Sequence, residues 1–309
     1  MSLENMLSEY DDCTLCPRAC HAKRLLGNTG VCGESSKLYV ARASLHMWEE
    51  PCISGENGSG TVFFSGCPLH CVYCQNHEIA NGYVGKEITL ERLSSIYLEL
   101  QDKKANNINL VTATHYLPHV VESVKLAREN GLTIPIVYNT SGYETPDAIE
   151  KLRGTVDIFL TDFRYMDSDT ARIYSNAPDY ADYAKASLAK MFDIVGTPLI
   201  DCETGLMRKG IIVRILVLPD HYKEAYDILL YLFRTYGNDI YVSILHQYTP
   251  LMSNIPSGEQ FNSLRRPLRD DEYNYVLDGA MELDMENVFI QEEGAASDTF
   301  IPDFDYTGI

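Results

Sequence analysis

Three cysteines sit in one short run, GCPLHCVYCQN, where Cys67, Cys71 and Cys74 are spaced C-x3-C-x2-C. Deprotonated sulfur is a soft ligand that suits zinc and iron–sulfur clusters. A closed all-cysteine site takes four thiolates, and no fourth lies close by. Three thiolates from one loop can hold three irons of a [4Fe-4S] cluster. The fourth iron is then open to a ligand that is not protein, such as the amino and carboxylate groups of a small molecule, and can pass it an electron. The competing readings are a zinc site completed from elsewhere, or three structural cysteines.

Four more cysteines, Cys13, Cys16, Cys20 and Cys32, are spaced C-x2-C-x3-C-x11-C. Four thiolates are enough for zinc or for a second iron–sulfur cluster, and the spacing does not choose between them. Such a centre would pin a core-poor segment or relay electrons; free thiols are the alternative. Arg18, Lys23 and Arg24 place a small basic patch beside them. Cys52 and Cys202 stand apart and read as small buried residues.

The elements that must position these residues follow a regular rhythm. Residues 1–60 read as a loop-rich, cysteine-rich N-terminal extension, with SGENGSG as a turn or joint before order begins at Thr61. TVFFSG is then a short buried strand leading directly into the three-cysteine loop. Apolar spacing predicts helices over 89–104, from Leu117 to Gly131, over 145–153, 179–195 and 223–237. Between them NINLVTA, TIPIVYN, VDIFLTDF, GIIVRILVL and DIYVSILHQY read as strands. Strands that are near-continuous apolar runs are buried on both faces, as in parallel sheets covered by helices. Six such units over 61–250 predict an α/β fold, either a partial (β/α)6 TIM-like barrel or a doubly wound sheet. Both collect their chemistry at the C-terminal ends of the strands. Residues 251–309 form a C-terminal extension with a helix near 270–285, a strand VFIQ and an acidic end that plugs the barrel, covers it or docks elsewhere.

The chain has 309 residues, 45% hydrophobic, ample for a large core. Its formal net charge of -19 repels phosphate backbones and anionic lipid, so nucleic acid and membrane surfaces are poor partners. The first residues lack a basic, then apolar, leader, and no run approaches the ~20 apolar residues that span a bilayer. A cytoplasmic protein is expected, in which clustered cysteines point to metal rather than disulfides.

The C-x3-C-x2-C loop with Tyr73 just before its last cysteine resembles the signature of radical S-adenosylmethionine (SAM) enzymes. The resemblance implies a partial (β/α)6 barrel, a [4Fe-4S] cluster on Cys67, Cys71 and Cys74, and SAM on the open iron. It implies reductive cleavage of SAM and hydrogen abstraction from a substrate, with an electron donor such as flavodoxin or ferredoxin. The SAM pocket would then draw on the strand ends. VTATH offers Thr112 and Thr114 where many of these enzymes carry a Gly-Gly-Glu-like motif, and His115 follows. YNTSGYE offers Asn139 and Ser141 for ribose hydroxyls. TDFRY, with Asp162 and Arg164, is similar to the Asp-x-Lys of glycyl-radical activating enzymes, an arginine replacing the lysine. RILVLP is similar to their Arg-x-x-Val-x-Pro strand and places Arg214 within an apolar run, where a charge needs a buried partner or a SAM carboxylate. LHQYTP adds Gln247 and His246. With the N-terminal cysteines and the run EEPCISGENGSGTVFFSGC, most of the chain resembles a pyruvate formate-lyase activating enzyme-like subgroup. That implies a glycine of a glycyl radical enzyme as substrate. A small molecule or another peptide is the alternative within this chemistry, and a non-catalytic metal-binding scaffold is the alternative outside it.

Overall fold

The computed structural model describes residues 7–82, 84–291 and 302–309. The leader expectation for residues 1–6 and the acidic run within 292–301 lie outside the described residues. In chain order the elements are β1 (Leu38–His46), α1 (Pro51–Ser54), β2 (Ser59–Phe64), α2 (His77–Ala80), β3 (Lys86–Ile88), α3 (Leu90–Asp102), β4 (Ile108–Val111), α4 (Leu117–Glu129), β5 (Ile136–Thr140), α5 (Pro146–Glu150) and β6 (Ile158–Asp162). They continue with α6 (Ser168–Ser175), α7 (Tyr180–Val195), β7 (Leu199–Ile200), β8 (Met207–Leu216), α8 (Tyr222–Tyr236), β9 (Tyr241–Leu245), α9 (Asp270–Glu282) and β10 (Val288–Ile290).

The strands predicted from the apolar runs are β2, β4, β5, β6, β8 and β9, and they pair in that order, all parallel. This is the mostly parallel α/β sheet expected of a partial barrel. Every residue of β2 and β4 is buried, because helices cover one face and the barrel interior the other. Helix starts follow local chemistry. Thr89 Oγ1 accepts the Arg92 amide at 3.1 Å, and Thr145 Oγ1 accepts that of Ala148 at 3.1 Å, each satisfying a donor that the first turn leaves unpaired.

The sheet is wider than the sequence suggested. β10 extends it beyond β9 in parallel. On the other side β1 pairs antiparallel with β2, and β3 antiparallel with β1. Order therefore begins well before Thr61, and the N-terminal segment contributes a nine-residue strand to the core. The sequence LYVARASLH hides this strand because Arg42 and Ser44 interrupt its apolar pattern. Helix α6 also escaped the periodicity, and β8 ends at Leu216 rather than Leu218.

Side chains alternate along each strand, so residues two apart share the interior face. Val137, Ile158, Leu160 and Ile212 pack there with Cys52 and Ile53 of α1, which closes the barrel floor. Cys52 is thus the small buried residue expected. Cys202 is not: it is exposed in the turn after β7. Two residues further along the same strands come Asn139, Asp162 and Arg214, which line the cavity above that floor.

Candidate active site

β2 delivers the chain to Gly66, which holds a left-handed φ of 82°. A Cβ there would lie 2.5 Å from Glu34 Cγ and 2.7 Å from the Cys32 carbonyl oxygen, so only glycine lets the N-terminal segment pass this close. Cys67, Cys71 and Cys74 follow, and all three line a cavity of about 240 Å³ at the C-terminal ends of the parallel strands. The loop is held from outside. Arg18 donates to the carbonyls of Pro68 (2.8 Å), Leu69 (3.2 Å), Ser175 (2.7 Å) and Asn176. The Cys67 amide donates to the Cys32 carbonyl at 3.2 Å, and His70 Nε2 to that of Val31 at 2.7 Å.

Ser175 Oγ donates to Cys71 Sγ at 3.1 Å, and the Leu69 amide donates to Cys67 Sγ at 3.4 Å, partly opposing the burial that raises the Cys67 pKa. Burial pushes the Cys74 thiol up to about 12, the neighbouring Cys71 and Cys67 add to this, and Arg164 opposes it. A soft metal would displace those protons on binding. Among the described residues no three His, Cys, Asp or Glu side chains stand at the spacing of an occupied metal site, at this loop or near the N-terminus.

Around the cavity stand Tyr73, Thr112, Asn139, Ser141, Asp162, Arg164, Arg214 and Gln247. Tyr73 is fixed by a 2.8 Å hydrogen bond between its hydroxyl and that of Tyr165. Thr112 directly follows β4 with a left-handed φ of 58°, unusual for a β-branched residue. Arg164 ion-pairs with Asp162, yet its buried Nε has no hydrogen-bond partner among the described residues. The Gln247 carbonyl accepts from Gln75 Nε2 at 2.9 Å.

Other expected residues lie elsewhere. Thr114 is buried away from the cavity and donates at 2.5 Å to Glu144, because the chain turns into a 3-10 helix directly after Thr112. His115 is also buried off the cavity, with Nε2 donating to the Ser65 carbonyl at 2.6 Å. Burial, reinforced by Arg24, pushes its pKa down to about 3, so it is neutral. His246 packs on the Tyr273 ring with centroids 4.6 Å apart.

Arg214 has the buried partners its setting demanded. It forks onto Glu50 at 2.8 and 2.7 Å and also contacts Glu49. Burial raises the Glu50 pKa, but the Arg214 charge outweighs it and holds Glu50 below the usual carboxylate range. Asn109 Nδ2 donates to Glu49 at 2.8 Å, completing a polar layer between floor and cavity. The sequence reading did not single out these carboxylates, nor His46 and Trp48, which line the cavity beside Glu49. The run HMWEEP, two acids following an aromatic in an otherwise apolar context, was their one signal.

The C-terminal residues 302–309 return to the mouth. Pro302 lines the cavity, and Phe304 meets Phe63 edge-on with ring centroids 5.5 Å apart. The Ala43 amide donates to the Thr307 carbonyl (2.9 Å) and the Tyr306 amide to that of Ala41 (3.2 Å), so the tail pairs with the free stretch of β1.

Known proteins resemble this chain in sequence and in fold. Residues 61–195 match the model of the radical SAM superfamily. An uncharacterised protein of Methanocaldococcus jannaschii is 24% identical over 91% of this chain and 77% of its own length. The pyruvate formate-lyase-activating enzyme of Clostridium pasteurianum is 30% identical over 38% of this chain and 50% of that protein. Among solved structures, HydG, a maturase of the [FeFe]-hydrogenase, superposes with a TM-score of 0.51 at 15% identity, over 74% of this chain and 50% of that one. Native anSMEcpe with bound AdoMet gives 0.50 at 14% identity, over 73% of this chain and 61% of that one. The chain thus spans half to about three-fifths of the two solved structures. The matched residues, 61–195, run from the strand that feeds the three-cysteine loop to the end of α7.

Proposed function

We propose that this protein is an enzyme that binds a [4Fe-4S] cluster on Cys67, Cys71 and Cys74 and cleaves SAM reductively to abstract a hydrogen atom from a substrate at the barrel mouth. The observation that carries it is three thiols of one short loop facing one cavity lined by polar strand ends, with no fourth cysteine among the described residues that line it. When bound there and reduced, such a cluster supplies the electron that splits SAM into methionine and a 5′-deoxyadenosyl radical. The side chains present fit both groups. The unpartnered Arg164 Nε is a donor for the SAM carboxylate, with Asp162 holding the guanidinium in place. Asn139 and Ser141 suit ribose hydroxyls, Thr112 and Gln247 offer further polar groups, and Tyr73 gives an aromatic wall for the adenine. Arg214 acts from below as a positioning residue, its charge already balanced by Glu49 and Glu50. A flavodoxin or ferredoxin is the fitting electron donor, and a cytoplasmic setting suits the reduced thiols.

The likeness to the Clostridium enzyme supports a glycine of a glycyl radical enzyme as the substrate. A second reading, a small molecule or another peptide, is favoured by Pro302, which lines the cavity a protein loop would have to enter, and by Phe304, which packs on the cavity-lining Phe63. Anaerobic reconstitution with iron and sulfide, reduction, and chromatography for 5′-deoxyadenosine test the core proposal. A brown protein that forms it from SAM is expected; a colourless zinc protein inert toward SAM contradicts it.

A further inference from the structure

Arg24 is the largest fully buried side chain among the described residues, with no exposed surface. A buried guanidinium is stable only when its hydrogen bonds and its charge are both answered. Its hydrogen bonds are answered by the carbonyls of His115 (2.7 Å) and Ser35 (2.7 and 3.2 Å), and it stacks over the Tyr10 ring at 4.3 Å. Its charge is answered only in part: among the described residues it forms no ion pair at salt-bridge distance, though it acts on the buried Glu34, whose carboxyl burial nevertheless holds above its usual range. What it does touch is sulfur, with Nη1 3.6 Å from Cys13 Sγ. Buried thiols are ordinarily neutral, and thiolates would supply the rest of the balance for Arg24.

The other cysteines gather at the same place. Cys13, Cys16 and Cys32 are buried. A Cβ on Gly30 would lie 3.2 Å from Cys20 Sγ and 3.4 Å from Cys32 Sγ, so these two sulfurs meet over that glycine. The segment has few large apolar side chains of its own, with Leu25, Leu26 and Val31 pointing outward.

We infer that Cys13, Cys16, Cys20 and Cys32 bind a thiophilic metal, zinc or an iron–sulfur cluster, as a tetrathiolate centre whose negative charge is balanced by the buried guanidinium of Arg24. Each thiol exchanges its proton for a metal bond, and side-chain rotation brings the sulfurs to ligand spacing. The centre sits directly behind the catalytic loop, because the Cys32 carbonyl accepts from the Cys67 amide and that of Val31 from His70. It does not depend on what Cys67, Cys71 and Cys74 bind.

The test is made in the full chain carrying Cys67→Ala, Cys71→Ala and Cys74→Ala, so that failure here is separate from failure of the proposed SAM site. Iron and zinc are measured after anaerobic purification, and Co²⁺ is titrated into the metal-stripped protein as a spectroscopic probe. The expected result is about one zinc or about four irons retained per chain, and the intense visible bands of tetrahedral thiolate-bound Co²⁺. Zinc or iron content tells the two forms apart. Adding Cys20→Ser should remove the metal and those bands, and adding Arg24→Met should lower Co²⁺ affinity at least tenfold while Arg24→Lys restores part of it. Absence of retained metal together with octahedral, weakly coloured Co²⁺ would overturn the inference. So would an Arg24→Met affinity equal to that of its parent.

Discussion

At the scale of single residues, two side chains carry visible costs. Thr112 sits at the cavity with a φ of 58°, where a β-branched residue pays roughly 1–2 kcal/mol relative to its usual conformations. Thr112→Gly is therefore expected to raise stability by up to about 1 kcal/mol, after allowing for glycine's freer unfolded chain. Denaturant unfolding measures this, and a loss of stability would show that the hydroxyl matters more than the backbone. Glu144 is buried, and that burial pushes its pKa up to about 7 against the hydrogen bonds from Thr114, Thr140 and Tyr138. The unfolded carboxyl loses its proton first, near pH 4.5. Stability from this group is therefore complete below that value and falls away as pH rises to about 7, by on the order of 3 kcal/mol. Glu144→Gln should flatten melting temperature between about pH 4.5 and about pH 7; an unchanged slope would contradict it. The sequence made the cysteines legible because their spacing is chemistry in itself. It did not show that Thr114 turns to Glu144, since only the fold decides which side of a strand end faces the cavity.

At the scale of elements, the polar layer above the floor joins α1, β4 and β8. Arg214→Met strands Glu49 and Glu50 without their cation, and the expected cost is about 3–5 kcal/mol. Adding Glu49→Gln and Glu50→Gln to the same chain should recover most of it. If the triple variant unfolds as readily as Arg214→Met alone, charge is not what the layer contributes. This layer also marks how far the sequence could be read. The six parallel strands stood out because each is an apolar run bounded by helix signals. β1 did not, because an antiparallel strand with Arg42 and Ser44 on one face looks like loop. The need for a partner to Arg214 was legible from its apolar setting, but the identity of the partner was not, since Glu49 and Glu50 lie more than a hundred residues away in the chain.

At the scale of the molecule, the N-terminal segment around Arg18 and the tail 302–309 both pack near the mouth. The N-terminal segment clamps the cysteine loop through Arg18, and the tail pairs with β1 and sets Phe304 on Phe63. Deleting 302–309 should speed hydrogen exchange at the Ala43 amide, which donates to Thr307, while leaving β5 and β6 protected. Equal exchange in both forms would mean the tail does not dock in solution. The central claim is that the three-cysteine loop holds a cluster with one iron free to take SAM. Electron paramagnetic resonance of the anaerobically reduced protein, with and without SAM, tests this most directly, with Cys71→Ala as the control. The expected result is a [4Fe-4S] signal that changes on SAM addition and disappears in the variant once any N-terminal contribution is subtracted. A reduced protein whose spectrum is indifferent to SAM would contradict it.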